Sequence, residues 1–438
     1  MREFKKCLEV AAIRLYSSLP SGVPKPIVRF PPVGCGKRMQ QLRVVRIASF
    51  VAIAVLCVSL SSVAQQDLPS ADSSQATTEY LSIPWTDGTV EDALQFSAAG
   101  KTIPLTHYSI TAKDGNTYKG VLVGGDPFKG GPRPVTLHAV VVPLVIQIVD
   151  KGQSALFDPT KPDPCDGGIS ALIRFIASPM VNPYDLTFNG VDVGYYQYID
   201  GYMRAEFWNE ISKFHNGSGY SNPIVWSYAP KFILPAFIGS TNGLINGNGC
   251  AEYGAVSHPL LDEFIRYIAI PILQAEGVIA PNQLAMFLLH NVVSQDTVGS
   301  TKCCTKGYHS AVGNPAQTYA VVDFNTSTNS KFKPVHDITT SSHEVAEWMN
   351  DPLGTNATPL WGNIGQVSGC DSTLEVGDPL EGTVLNFSGF GSTYHPQELA
   401  FFSWFFNAKT TASLGAGGFF SSNKTFATPA KKCSGGGS

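Results

Sequence analysis

Between residues 135 and 150 the chain reads VTLHAVVVPLVIQIVD, with apolar and β-branched residues following one another almost without a break. A half-exposed strand would alternate apolar with polar positions, so this run predicts a strand buried on both faces. Two further apolar runs, QLAMFLLHNVV (283–293) and TYAVVDF (318–324), also predict core strands. The pattern turns helical in YIDGYMRAEFWNEISKF (198–214), where aromatic and aliphatic residues recur at helical spacing. It does so again in PLLDEFIRYIAIPILQAEG (259–277), which opens on Pro259 and stops at Gly277. A third helix is expected from about Asp337 to Asn350, where Asp351-Pro352 halts it. HPQELAFFSWFF (395–406) predicts a terminal helix.

Upstream the pattern is different. Residues 65–130 are polar and turn-rich (QQDLPSADSSQATTEY, then VGGDPFKGGPRP), as expected of a linker and a small β-rich segment ahead of a main domain at 131–438. From Met39 the chain reads MQQLRVVRIASFVAIAVLCVSLSSVAQQ: a basic start, an apolar run from Ile47 to Leu60, and the small residues Ser62-Val63-Ala64. That is the form of a cleaved signal peptide at 39–64, with an apolar run too short for a stable membrane span, so secretion is expected. Residues 1–38 precede it as a non-structural extension.

A composition of 43% hydrophobic and 15% charged residues is that of a globular chain with ample material for a core. The leader changes the charge balance. Residues 1–64 hold ten of the 30 basic and two of the 34 acidic residues, so the remainder carries 20 basic against 32 acidic. An acidic mature chain argues against nucleic acid and against an anionic membrane surface as partners. Beyond the leader lie Cys165, Cys250, Cys303, Cys304, Cys370 and Cys433, an even count that suggests up to three disulfides in an exported protein.

The chemistry is concentrated in the third helix, which carries His343-Glu344-x-x-Glu347, one residue away from the H-E-x-x-H of zinc peptidases. On a helical wheel Glu347 lies about 40° from His343, Asp351 about 80° and Glu344 about 100°. Ile338, Val345, Trp348 and Met349 gather on the opposite side, so the helix is amphipathic with an acidic face. That face has no Lys or Arg, and Glu347 and Asp351 one turn apart repel unless a positive charge lies near them. A bound cation removes the penalty, and mixed nitrogen and oxygen donors suit Zn²⁺ better than Ca²⁺. The plainer alternatives are a face turned to water and a capping box of Ser341 with Glu344. The position of Ile338 on the apolar stripe favours a start one turn earlier, which frees Glu344. A third ligand is expected from Glu375 or Asp378 in CDSTLEVGDPLEG, with Asp351 and His309 as alternatives and His336 as an outside one. For His309, a histidine buried beside a disulfide is the plainer reading.

SHEVAEWMNDP, then Trp361 and LEVGDPL, together with CCTKGYH and HPQELAFFSWF, resembles a group of exported bacterial zinc metallopeptidase-like proteins. Their pattern is S-H-E-x-x-E-x-x-x-D-P followed by E-x-G-D, and the resemblance spans roughly residues 135–407. More distantly the layout is similar to plant phosphate-induced, EXORDIUM-like extracellular proteins, in which the helix lacks the H-E-x-x-E residues. The resemblance implies an α/β (α+β), zincin-like domain with a mixed sheet and a metal-site helix. It further implies His343 and Glu347 as zinc ligands, Glu344 as general base, and the Glu375/Asp378 loop completing the site. The expected activity is metal-dependent hydrolysis of a peptide or protein. The competing expectation is a non-enzymatic extracellular or cell-surface protein that binds a glycan or protein and holds a structural ion or none.

Overall fold

The computed structural model describes residues 80–129, 133–188, 191–214, 219–300, 304–332, 336–389 and 391–406. The signal-peptide reading of 39–64, the extension before it, Cys303 and Cys433 lie outside these. All of the described residues fall in one compact unit. It is mixed α/β, with several sheets and few helices, and among the described residues no helix is long and apolar enough to cross a membrane.

A nine-stranded mixed sheet carries the unit. Five of its strands position the site: β1 (Tyr80–Ile83), β2 (Leu137–Asp150), β3 (Leu284–His290), β4 (Gly307–Val312) and β5 (Gln317–Phe324). Their spatial order is β1-β4-β5-β3-β2. β4 and β5 form an antiparallel pair, while β1 on β4, β3 on β5 and β3 on β2 are parallel. Residues 80–83 therefore extend the main sheet. The long β2 also pairs with Ile224–Tyr228 and Gln153–Phe157.

Both faces of the sheet are covered, which is why its central strands read as unbroken apolar runs. Side chains alternate between faces along each strand. Val140, Val142, Ala285, Phe287, Tyr319 and Val321 pack with Leu261, Ile265 and Leu273 of the helical run that begins at His258. Ala139, Val141, Met286, Leu288, Ala320 and Val322 pack on the other side with Ile338, Val345, Trp348 and Met349 of the acidic helix.

That helix spans Thr339–Asn350, and all twelve residues are buried. Its polar face does not meet water. The apolar stripe lies on the sheet as expected, with Trp348 Nε1 donating to Thr318 Oγ1 at 3.1 Å, while the acidic face is covered by His309 of β4, Tyr80 of β1 and the loop at Gly377. No capping box forms at Ser341: the helix starts earlier, its N-cap is Ile338, and Ser341 donates back to the Ile338 carbonyl at 3.0 Å.

Two other helices differ from expectation. The run from His258 is interrupted by a π turn at Ile265–Ala269 before Ile270–Ala275, which accommodates Pro271, a residue without an N–H for the helical ladder. The expected terminal helix at 395–406 is helical only over Phe402–Phe405. Before it, the backbone is committed to neighbouring loops: Glu398 N donates to Thr383 O at 2.9 Å and Ala400 N to Val376 O at 2.7 Å. Cys165 and Cys250 form a disulfide with each other, and Cys304 and Cys370 each belong to a disulfide bond.

Candidate metal centre

Three pieces of chain converge on the acidic face of the helix. Along β4 the alternation turns Tyr308 into one core and His309 toward the helix, where it is fully buried. The helix lies close against β4 at Gly307, where a Cβ would lie 2.5 Å from Thr340 Cγ2 and 2.7 Å from Glu344 Oε1. From the sheet edge, β1 stacks the Tyr80 ring on His343, with centroids 3.8 Å apart and planes at 22°. The third piece is the E-x-G-D loop. Gly377 N donates to Glu347 Oε1 at 3.1 Å, and a Cβ on Gly377 would lie 2.3 Å from His343 Nδ1. Only glycine lets the loop close down on the histidine.

Five side chains meet in this space. His343 Nε2 lies 3.0 Å from Glu347 Oε1 and 3.4 Å from Asp378 Oδ1. His309 Nδ1 lies 3.2 Å from Glu344 Oε2 and 3.6 Å from Glu347 Oε2. These are two groups with metal-ligating geometry, His343–Glu347–Asp378 and His309–Glu344–Glu347, sharing Glu347.

The hydrogen-bond network assigns the histidine tautomers. Gln397 Nε2 donates to the Gly377 carbonyl at 2.6 Å, so Gln397 presents its oxygen to His343 Nδ1, 3.1 Å away. Nδ1 therefore carries the proton, and in the neutral ring Nε2 turns a lone pair toward two carboxylates. Its nitrogen has no hydrogen-bond partner. A ring whose second nitrogen is held by a carbonyl oxygen is how proteins orient a metal-ligating histidine. Gln366 supports the other side, donating from Nε2 to Asp378 Oδ1 and, at 3.1 Å, to the Tyr80 carbonyl.

Burial governs the titration of the centre. It pushes Asp378 up to about 8, Glu344 up to about 7 against the pull of His309, and Glu375 well above the carboxylate range. Glu347 is the exception: burial opposes its charge, but His343 and His309 hold it below its ordinary value. Burial likewise opposes the charged form of His343, yet Glu347, Asp378 and Glu344 together raise it well above normal.

Of the residues expected from the sequence, His343, Glu347 and Asp378 are brought together. Glu344 is adjacent but directed at His309. Glu375 enters neither group: it is buried with Oε1 unpartnered, while a 3₁₀ turn at Asp378–Leu380 carries Asp378 to His343. Asp351 enters neither group: its oxygens accept from Thr355 N at 2.9 Å and Asn356 N at 2.8 Å at the end of the helix. The expectation of His309 as merely a histidine beside a disulfide understates its place among the carboxylates. Gln397, Gln366 and Tyr80 were not legible as site residues; each acts across a fold-dependent contact that no local motif encodes. His336 lies beside His395 instead, with ring centroids 5.0 Å apart.

Comparison with protein-family models, with curated proteins and with solved structures finds no match to this chain.

Proposed function

We propose that this chain is an exported metal-dependent hydrolase acting on a peptide or protein, with Zn²⁺ held by His343, Glu347 and Asp378. One observation carries the reading: a buried imidazole nitrogen, its tautomer set by Gln397, aimed without a hydrogen-bond partner at two carboxylates. Three protein donors leave a coordination position open, as catalytic zinc sites do. An H-E-x-x-E helix packed across one face of a mixed sheet is compatible with a zincin-like domain, by architectural analogy. The disulfide bonds support an oxidising, extracytoplasmic location.

Zinc bound there supplies a water of lowered pKa and a Lewis acid for the scissile carbonyl. Glu344, whose buried Oε1 has no hydrogen-bond partner, would serve as the base for that water's proton and would return it to the leaving amine.

A second reading, an extracellular interaction protein with a structural ion, is favoured by burial. His343, Glu344 and Glu347 are at 0% exposure, and closed shells mark structural zinc sites. Zinc analysis, chelation and a labelled-casein assay separate the readings. Hydrolysis predicts bound zinc, a lower melting temperature with chelator, and a Glu344→Gln variant that keeps the ion of the His343 group but no longer cleaves casein. Zinc with chelator-sensitive melting but no turnover of casein or a peptide library selects the structural reading. Absence of metal with unchanged melting rejects both.

A further inference from the structure

The second group, His309–Glu344–Glu347, repeats the device seen at His343. His309 Nε2 lies 3.1 Å from the Asp351 carbonyl, which can only accept, so Nε2 carries the proton. Ser82 Oγ lies 3.3 Å from the same nitrogen. In the neutral ring, Nδ1 therefore turns its lone pair on Glu344 Oε2 and Glu347 Oε2, an arrangement that either a second proton on the ring or a metal cation between them balances. Glu347 Oε2, which faces His309, and Glu344 Oε1 are buried and have no hydrogen-bond partner, while Glu344 Oε2 is paired with His309 Nδ1 at 3.2 Å. Glu347 presents Oε1 to the His343 group and Oε2 to the His309 group. Among the described residues, the ion-pair partners of Glu344, Glu347 and Asp378 are histidines, with no Lys or Arg paired to these carboxylates.

We propose that the centre holds two divalent transition-metal ions, the second bound by His309 Nδ1, Glu344 and Glu347, with the Glu347 carboxylate bridging the pair. This rests on the metal reading above and extends it from one ion to two. Imidazole with carboxylate donors is suited to zinc, manganese or iron, and shared carboxylates are the usual bridge in two-metal hydrolytic sites. Glu344 then contributes Oε2 to the second ion and keeps Oε1 for the proton. His309 becomes a ligand from β4, which ties the helix to the sheet through metal.

The test is stoichiometry on the full chain, loaded with Zn²⁺, freed of excess ion and measured by elemental analysis. Two zinc per wild-type chain and one per His309→Ala chain are expected. One zinc in both overturns the second site and leaves the first; two in both places the second ion elsewhere and overturns the assignment. No zinc in wild type overturns this proposal together with the metal reading. Because His309→Ala removes a buried ring, the wild type is also loaded with Mn²⁺ and examined by electron paramagnetic resonance. An exchange-coupled pair is expected from a shared carboxylate, and a signal from isolated Mn²⁺ alone overturns the bridge even if the variant does not fold.

Discussion

Replacing Gly377 by alanine tests how closely the E-x-G-D loop is fitted to the helix. The new methyl carbon would lie 2.3 Å from His343 Nδ1, 2.4 Å from Cε1 and 2.6 Å from Cγ. Restoring ordinary contact requires the ring to move by about 1 Å, given normal carbon separations near 3.5 Å. It has nowhere to go, because Tyr80 is stacked on it at 3.8 Å. The backbone itself is not the obstacle, since Gly377 has φ −82° and ψ −33°, which any residue adopts. Overpacking of this kind costs about 1–3 kcal/mol, and displacing Nδ1 from Gln397 forfeits about 1 kcal/mol of hydrogen bonding. The stiffer unfolded chain of the alanine variant returns about 0.4–1 kcal/mol. The net expectation is a loss of about 1–3 kcal/mol, read by urea unfolding of chelator-treated protein with tryptophan fluorescence. In a His343→Ala background the clash has no partner, so Gly377→Ala becomes neutral or slightly stabilising, a strong non-additive coupling. The reasoning is refuted if Gly377→Ala is as stable as wild type, or if it costs the same with and without the histidine ring.

Two further outcomes follow from groups outside the centre. Glu206 is buried, accepting from Tyr202 Oη at 2.9 Å, Asn350 Nδ2 at 3.2 Å and Phe402 N at 3.1 Å, and burial pushes its carboxyl up to about 8. The folded chain therefore keeps a proton that the unfolded chain releases above its ordinary value of 4.5, so this contribution is full below about 4.5 and is lost as pH rises to about 8. Glu206→Gln should flatten that part of the stability–pH curve measured by denaturant titration; an unchanged slope between pH 5 and 8 counts against it. The Cys165–Cys250 disulfide closes a loop with a sequence separation of 85. Replacing both cysteines by serine should cost about 2–5 kcal/mol in unfolding free energy, and no measurable loss would show that the bridge constrains little.

How much of this was legible in the chain depends on the range of the physics involved. The strands β2, β3 and β5 stand out because burial on both faces demands uninterrupted apolar residues, a property written into each segment. The terminal segment misleads because the residues ahead of FFSWFF are shaped by bonds from Glu398 and Ala400 to Thr383 and Val376, which its own sequence does not reveal, so that only Phe402–Phe405 is helical. His343 and Glu347 are one turn apart, so the helical repeat alone puts them on one side. The partner at Asp378 was accessible as one of two carboxylates near a glycine, and the choice between it and Glu375 came from a single 3₁₀ turn.

The sequence by itself determined an acidic helical face without balancing cations, opposite a core-forming stripe, because those properties depend only on residue type and the 3.6-residue repeat. Tertiary structure decided that this face is buried rather than wet. It brought His309 to it across 35 residues and Tyr80 across the sheet edge, and it turned one ring nitrogen of each histidine toward the carboxylates. Those outcomes rest on strand order, register and second-layer hydrogen bonds, which join residues far apart in the chain and leave no periodic mark in it.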